Sequence, residues 1–207
     1  MDILAAGLDP EATYKLLVGV VVPRPIAWIT TLNAAGGVNL APFSAFTYVS
    51  VKPPLLGINC GRKAGVPKDT GTNIHREREF VVHIADETLV QPLHESAIEH
   101  PPEVSEVAEL GLATLPSTEI RTPRLAIAPI AMECRYHSTT PYGATGSEFI
   151  VGEVLRFHIR DGLCADGKID TMQLRPLCRL GGPNYASLGE LIRMQPVAQT
   201  VKTVIEG

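Results

Sequence analysis

Residues 23–31 read Pro-Arg-Pro-Ile-Ala-Trp-Ile-Thr-Thr, residues 39–44 Asn-Leu-Ala-Pro-Phe-Ser, and residues 52–54 Lys-Pro-Pro. The stretch closes with Gly61-Arg62 and with Lys-Asp-Thr-Gly-Thr-Asn-Ile at 68–74. Short β-branched runs broken by Pro and Gly predict strands joined by tight turns. The last of them leads into two basic side chains and a hydroxyl beside a helix start. A phosphate suits that combination, because a dianion needs opposite charge and donors at fixed positions. Arg62 offers a planar fork, Lys68 a point charge, and Thr70 with the following backbone N–H groups the short donors.

Working outward, Asp9-Pro10-Glu11 predicts a helix start, with an acceptor at the cap and proline in the first turn. Tyr14, Leu17 and Val18 form its apolar stripe and Gly19 its end. Residues 26–32 predict a strand, 33–37 a turn and 38–40 the returning arm. Residues 43–51 and 55–60 predict two more strands, and 61–68 a loop. Asp69 predicts the cap of a helix reaching about residue 77. A strand at 80–85 follows. Asp86 then caps a helix that Pro92 bends or ends.

Residues 95–115 carry Pro101-Pro102 and no strand pattern. They predict a surface helical excursion, with a helix over 102–110 stopped by Gly111. Residues 125–138 predict a long strand bent at Pro129. In 149–160, Val151, Leu155, Phe157 and Ile159 alternate with Arg156, His158 and Arg160. Asp161-Gly162 is read as a hairpin turn and 180–185 as a glycine-rich loop. No repeat or linker divides the 207 residues, so one domain is expected over 1–207. Helices fall between strand groups without a regular βαβ beat, which favours a mainly β, Greek-key barrel with peripheral helices.

Composition narrows the function. Hydrophobic residues at 45% and charged residues at 19% supply a sizeable core. A net charge of −4 with no Lys/Arg run argues against nucleic acid or an anionic membrane as partner. No apolar run approaches the roughly 20 residues of a membrane span. Cys60, Cys134, Cys164 and Cys178 form no Cys-x-x-Cys pair, and residues 1–10 lack a basic leader. A cytoplasmic protein with reduced thiols is expected. No His-x-x-x-His occurs, so no metal site is expected, and neither a nucleophile elbow, a P-loop nor a Gly-x-Gly-x-x-Gly after a strand is present.

The ordered set resembles the flavin reductase-like family, whose fold is the FMN-binding split barrel. The matching pieces are the Arg-Pro-Ile-x-Trp strand, Asn-x-Ala-Pro-x-Ser, the Pro-Pro turn and Lys-Asp-Thr-x-x-Asn-Ile. Phe80-Val81-Val82-His83, Gly152-Glu153-Val154, and Arg179-Leu180-Gly181-Gly182 with Tyr185 extend the match over about residues 14–190.

The resemblance implies that Lys68 and Thr70 contact the flavin, with Arg62 and Asn73 completing a clamp for phosphate and ribityl chain. Without it, the same four residues also fit a solvated loop and a capped helix. It further implies that Ser44, Ala45, Phe46 and Thr47 bring a strand backbone to the polar edge of the isoalloxazine, bordered by Asn59, Cys60 and Gly61. An ordinary barrel strand fits those residues as well. Arg24 and Trp28 stand near the cofactor in the family, yet Arg24 equally suits a structural ion pair and Trp28 the core. Tyr185 is placed to cover the ring or simply to pack.

The implied activity is hydride transfer from NADH or NADPH to FMN, with no catalytic side chain required. Reduced flavin would pass to a monooxygenase or another acceptor. A non-catalytic FMN electron carrier and a flavin-free split-barrel binding protein stay open as alternatives. The family pairs two subunits with FMN between them, which implies a homodimer. It also leaves residues 95–115 to shape the mouth of the site.

Overall fold

The computed structural model describes residues 1–63 and 65–197. A short 3₁₀ turn, Ala5–Gly7, precedes α1, Pro10–Val20. The Asp9 carboxylate accepts from Ala12 N at 2.7 Å and Pro10 sits in the first turn. Gly19 lies inside the helix, and no residue of α1 is buried.

The strands follow as β1 (Arg24–Pro25), β2 (Ala27–Leu32), β3 (Val38–Phe43), β4 (Phe46–Val51) and β5 (Pro54–Cys60). The expected loop at 61–68 holds a tight ribbon of β6 (Arg62–Lys63) and β7 (Val66–Pro67). Next come α2 (Asp69–Glu77), β8 (Glu79–Ile84), α3 (Val90–Glu95), α4 (Glu106–Glu109), β9 (Thr114–Leu115) and β10 (Arg124–Leu125). Two long strands, β11 (Ile130–Tyr142) and β12 (Ser147–Ile159), precede β13 (Cys164–Ala165), β14 (Lys168–Ile169), α5 (Thr171–Leu174), β15 (Cys178–Arg179) and β16 (Tyr185–Ala186). Among the described residues no helix is long and apolar enough to cross a membrane.

Seven strands form one antiparallel sheet in the order β3-β2-β8-β11-β12-β5-β4. Its edge strands β3 and β4 are joined directly through Ser44-Ala45. The sheet therefore curls until its edges meet at that corner, which makes a barrel with one open seam. Ala27, Ile29, Phe43, Ile58, Phe80, Val82, Met132, Cys134, Ile150 and Val154 fill the interior. Gly152 lies opposite Tyr136 on β11, and a Cβ there would approach Phe80 Cζ to 2.4 Å, so the Phe80 ring occupies the space glycine leaves.

A second core covers the outer face, where Trp28, Leu40, Leu89, Leu93, Val107, Leu125 and Leu177 meet. The expected surface excursion is part of this layer. Its helix is only Glu106–Glu109, capped by Ser105, and Glu106 accepts from Leu40 N at 2.8 Å. Trp28 Nε1 donates to Ser96 Oγ at 2.8 Å. Residues 101–104 form a turn instead of the first helical turns, with Val104 N donating to Pro101 O at 2.9 Å.

Three other expectations change. Pro92 sits in the first turn of α3 without ending it. A β-bulge leaves Leu155 without a direct partner on β11, so Ile150 and Val154 point into the barrel and the simple alternation fails. Asp161-Gly162 does form a turn, closed by Leu163 N on Arg160 O at 3.1 Å, but the hairpin turn is at Asp166-Gly167, between β13 and β14.

His83 links the two layers. It is fully buried, its Nδ1 is 2.8 Å from Trp28 O, and its Nε2 accepts from Leu125 N at 2.9 Å. That pairing fixes the neutral Nδ1–H tautomer. Burial pushes the pKa down to about 4. Below the unfolded value of about 6.5 the unfolded chain takes up a proton that the folded chain refuses. Stability is then expected to fall by up to roughly 3 kcal/mol between pH 6.5 and 4. Urea midpoints measured across that window should slope less steeply in His83→Asn than in the parent.

Candidate functional site

At one end of the barrel a cleft of about 250 Å³ opens between the tip of β5, the β6–β7 ribbon and the start of α2. Cys60, Gly61, Arg62, Lys68, Thr72 and His75 line it, with Gly146 and Glu148 from the start of β12. The residue before α2 is Lys68, and no side chain caps the helix. Asp69, expected as the cap, is instead the first helical residue. Burial raises its carboxyl pKa, and the charges of Glu103 and Glu99 add to the effect. The leading N–H groups of a nine-residue helix thus open toward the cleft with the positive end of the helix dipole.

Arg62 and Lys68 stand at this opening. Arg62 Nη1 donates to Gly65 O at 3.2 Å and Nη2 lies 3.9 Å from Glu148 Oε1. Gly146, at φ +75°, permits this course, since a Cβ there would come within 2.5 Å of Arg62 Cδ. Glu148 also holds His75 Nε2, at 2.9 Å. Lys68 Nζ rests 5.5 Å from the centre of the Phe43 ring and has no carboxylate partner among the described residues. Cys60 is buried and desolvation pushes its thiol up to about 11, so it is a neutral wall.

Thr70 and Asn73 turn the other way. Thr70 is 2% exposed and accepts from Asn39 Nδ2 at 3.3 Å. Asn73 is 4% exposed, donates to Thr31 Oγ1 at 3.0 Å and accepts from Arg76. At about 100° per residue Thr70 lies some 200° around the helix from Lys68, while Thr72 and His75 return to its side. The two side chains bind α2 to β2 and β3 instead of facing the cleft. Helical spacing from Lys68 would have found Thr72 and His75; no sequence signal marks Glu148, which reaches the cleft only through strand pairing with Cys60.

Ser44, Ala45, Phe46 and Thr47 run along the seam beside β5, where Ala45 O accepts from Asn59 N at 2.8 Å. Ala45, Thr47 and Asn59 are exposed and Ser44 and Phe46 half-buried. Because β4 is an edge strand, one row of its backbone groups has no strand partner.

Arg24, Trp28 and Tyr185 each have partners within the chain. Arg24 donates to Val18 O, Val21 O, Leu180 O and Ser44 Oγ at 2.6–3.3 Å, which commits most of its N–H groups to tying α1 to the barrel. Trp28 is fully buried in the outer core. The Tyr185 hydroxyl meets Arg179 and His94, and its ring carries the Arg179 guanidinium. Among the described residues no three His, Cys, Asp or Glu side chains group as metal ligands.

The family described as flavin reductase like domain matches residues 20–172. The structure is similar to nitrilotriacetate monooxygenase component B from Bacillus cereus, at 37% identity and a TM-score of 0.91, with 94% of this chain and 98% of that one covered. It is similar to 2-nitrobenzoate 2-nitroreductase from Pseudomonas fluorescens, at 34% identity and a TM-score of 0.81, covering 100% and 99%. A Shewanella frigidimarina protein described as a flavin reductase with split barrel domain shares the fold at 18% identity and a TM-score of 0.83, covering 95% and 100%.

Proposed function

Because the chain belongs to the flavin reductase-like family, we propose that it binds FMN and passes hydride to it from NADH or NADPH. The observation that carries this reading is the uncapped start of α2, set between Arg62 and Lys68 in one cleft. Backbone N–H donors, a dipole end and two cations converge where a phosphate fits. The cleft has room for the phosphate and part of the polyol chain. Ser44, Ala45 and the free edge of β4 would hold the ring, with backbone donors available to its polar rim.

When bound, FMN supplies an acceptor for hydride and releases electrons onward. The chain holds the phosphate, fixes the ring against the barrel and excludes water with Phe43 and Phe46. No side-chain acid or base takes part, and orientation is the protein's contribution. Component B of the nitrilotriacetate monooxygenase supports a monooxygenase as the acceptor of the reduced flavin. All four cysteines are free, which suits a reducing cytoplasm. One domain over 1–207 carries the site.

Anaerobic mixing of FMN-loaded protein with NADH and with NADPH tests the reading. Rapid bleaching of the flavin absorbance by either is expected. Bound flavin that neither bleaches would instead mark an electron carrier, and protein that takes up no flavin would mark a flavin-free binding module.

The chain is proposed to act as a homodimer. Tyr48 is 73% exposed and Val51 85% exposed on the edge strand β4, and α1 presents Tyr14 and Leu17 to solvent. A second copy is the natural cover for such a surface. Tyr48→Asp with Val51→Asp is expected to convert a dimer to monomer in sedimentation velocity, with the far-UV spectrum retained.

A further inference from the structure

A second cavity, of about 450 Å³, opens on the outer face of the sheet, where β10 and the strap up to Pro129 cross the end of β12. The flavin cleft takes Glu148 and this cavity Phe157 and His158, so the two lie roughly 30 Å apart along one strand.

Its electrostatics are unbalanced. Arg124 lines it, its Nε is shielded from solvent without a hydrogen-bond acceptor, and no carboxylate pairs with it among the described residues. Arg160 lines the opposite wall and is answered by Asp86, 3.3 Å away. His158 is answered by the buried Glu133 through Nε2, at 2.6 Å. Of these three side chains, Arg124 alone is left without a carboxylate partner among the described residues, and it is the one best shaped for a planar two-oxygen acceptor. A buried guanidinium donor without an acceptor is rare in folded proteins. Two large apolar side chains on its lining, Ile127 and Phe157, are 49% and 55% exposed.

We infer that this cavity binds a small organic carboxylate with an apolar body. The carboxylate takes the Arg124 fork, with Arg160 as the second donor, and the body covers Ile127 and Phe157. A monoanion matches the single unanswered charge, whereas a phosphate dianion would crowd the Asp86 carboxylate. The inference is independent of the flavin reading, since none of these residues touches the first cleft.

Phenylacetate is a suitable probe, with isosteric neutral phenylacetamide and inorganic phosphate as comparators, in titration calorimetry on the full chain with FMN present. Phenylacetate alone is expected to bind. Arg124→Gln is expected to weaken it about tenfold or more, as loss of a charge-assisted pair does. Phe157→Ala, at an exposed position, should weaken it without disturbing the fold, and Arg62→Ala should leave it unchanged. Equal binding to the parent and Arg124→Gln, binding of phenylacetamide as tight as that of phenylacetate, preference for phosphate, or loss of binding in Arg62→Ala would each overturn the assignment.

Discussion

Arg62→Ala combined with Lys68→Ala is expected to raise the Kd for FMN by about 10³-fold while leaving that for riboflavin nearly unchanged. A hydrogen bond to a charged group contributes about 1.5–3 kcal/mol, so two of them correspond to roughly 10²–10⁴ in affinity. The losses will not add simply, because both cations face the same anion. Arg62→Ala alone should cost more than Lys68→Ala. Arg62 also answers Glu148, and without it that carboxylate stands beside the phosphate with His75 as its one ion-pair partner among the described residues. Fluorescence titration of both flavins checks this. A parallel loss for riboflavin, which lacks the phosphate, would show that the cations do not clamp it. Added salt should weaken FMN binding to the parent far more than to the double variant.

Glu133→Leu is expected to lower the melting temperature by about 10 °C. The carboxylate is fully buried, and accepts from Thr118 N at 2.8 Å, Glu119 N at 2.6 Å and His158 Nε2 at 2.6 Å. Burial alone would raise its pKa, but the bonds from His158 and the two backbone N–H groups outweigh it and hold the carboxyl below the ordinary range. Leucine leaves these three donors without their acceptor. Breaking such a buried set costs about 3–5 kcal/mol, and each kcal/mol shifts melting by about 2–4 °C in a chain this size. Glu133→Gln, which keeps one acceptor oxygen, should lose markedly less. Calorimetry of the three proteins at pH 7 decides it; equal melting would mean that the strap over 118–119 is held by other contacts.

The barrel was readable because its strands are short, β-branched and separated by Pro and Gly; β2, β3 and β5 fall where those signals place them. Tertiary context decided the rest. The bulge at Leu155 shifts the phase of β12, and no local pattern announces it. Residues 95–115 look like a polar excursion because their few apolar side chains are spread out, yet Val107 and Leu112 close the outer core. At the site, Arg62, Lys68, Cys60 and Gly61 are brought together. The motif groups Thr70 and Asn73 with Lys68 in sequence, whereas the helix sorts them onto two faces. Arg24 and Tyr185 have partners far away in the sequence, which only the closed structure shows.

Helix α1 has no fully buried residue in its own chain and is tied to the barrel through Arg24 at its C-terminal end. An isolated helix of eleven residues is marginal in water. In the proposed homodimer its order is borrowed from the second copy, and mass action sets the loan. On dilution, amide protons of residues 12–20 should exchange faster while those of β8 and β11 keep their rates, so that protein concentration itself tunes how firmly the N-terminal arm is closed.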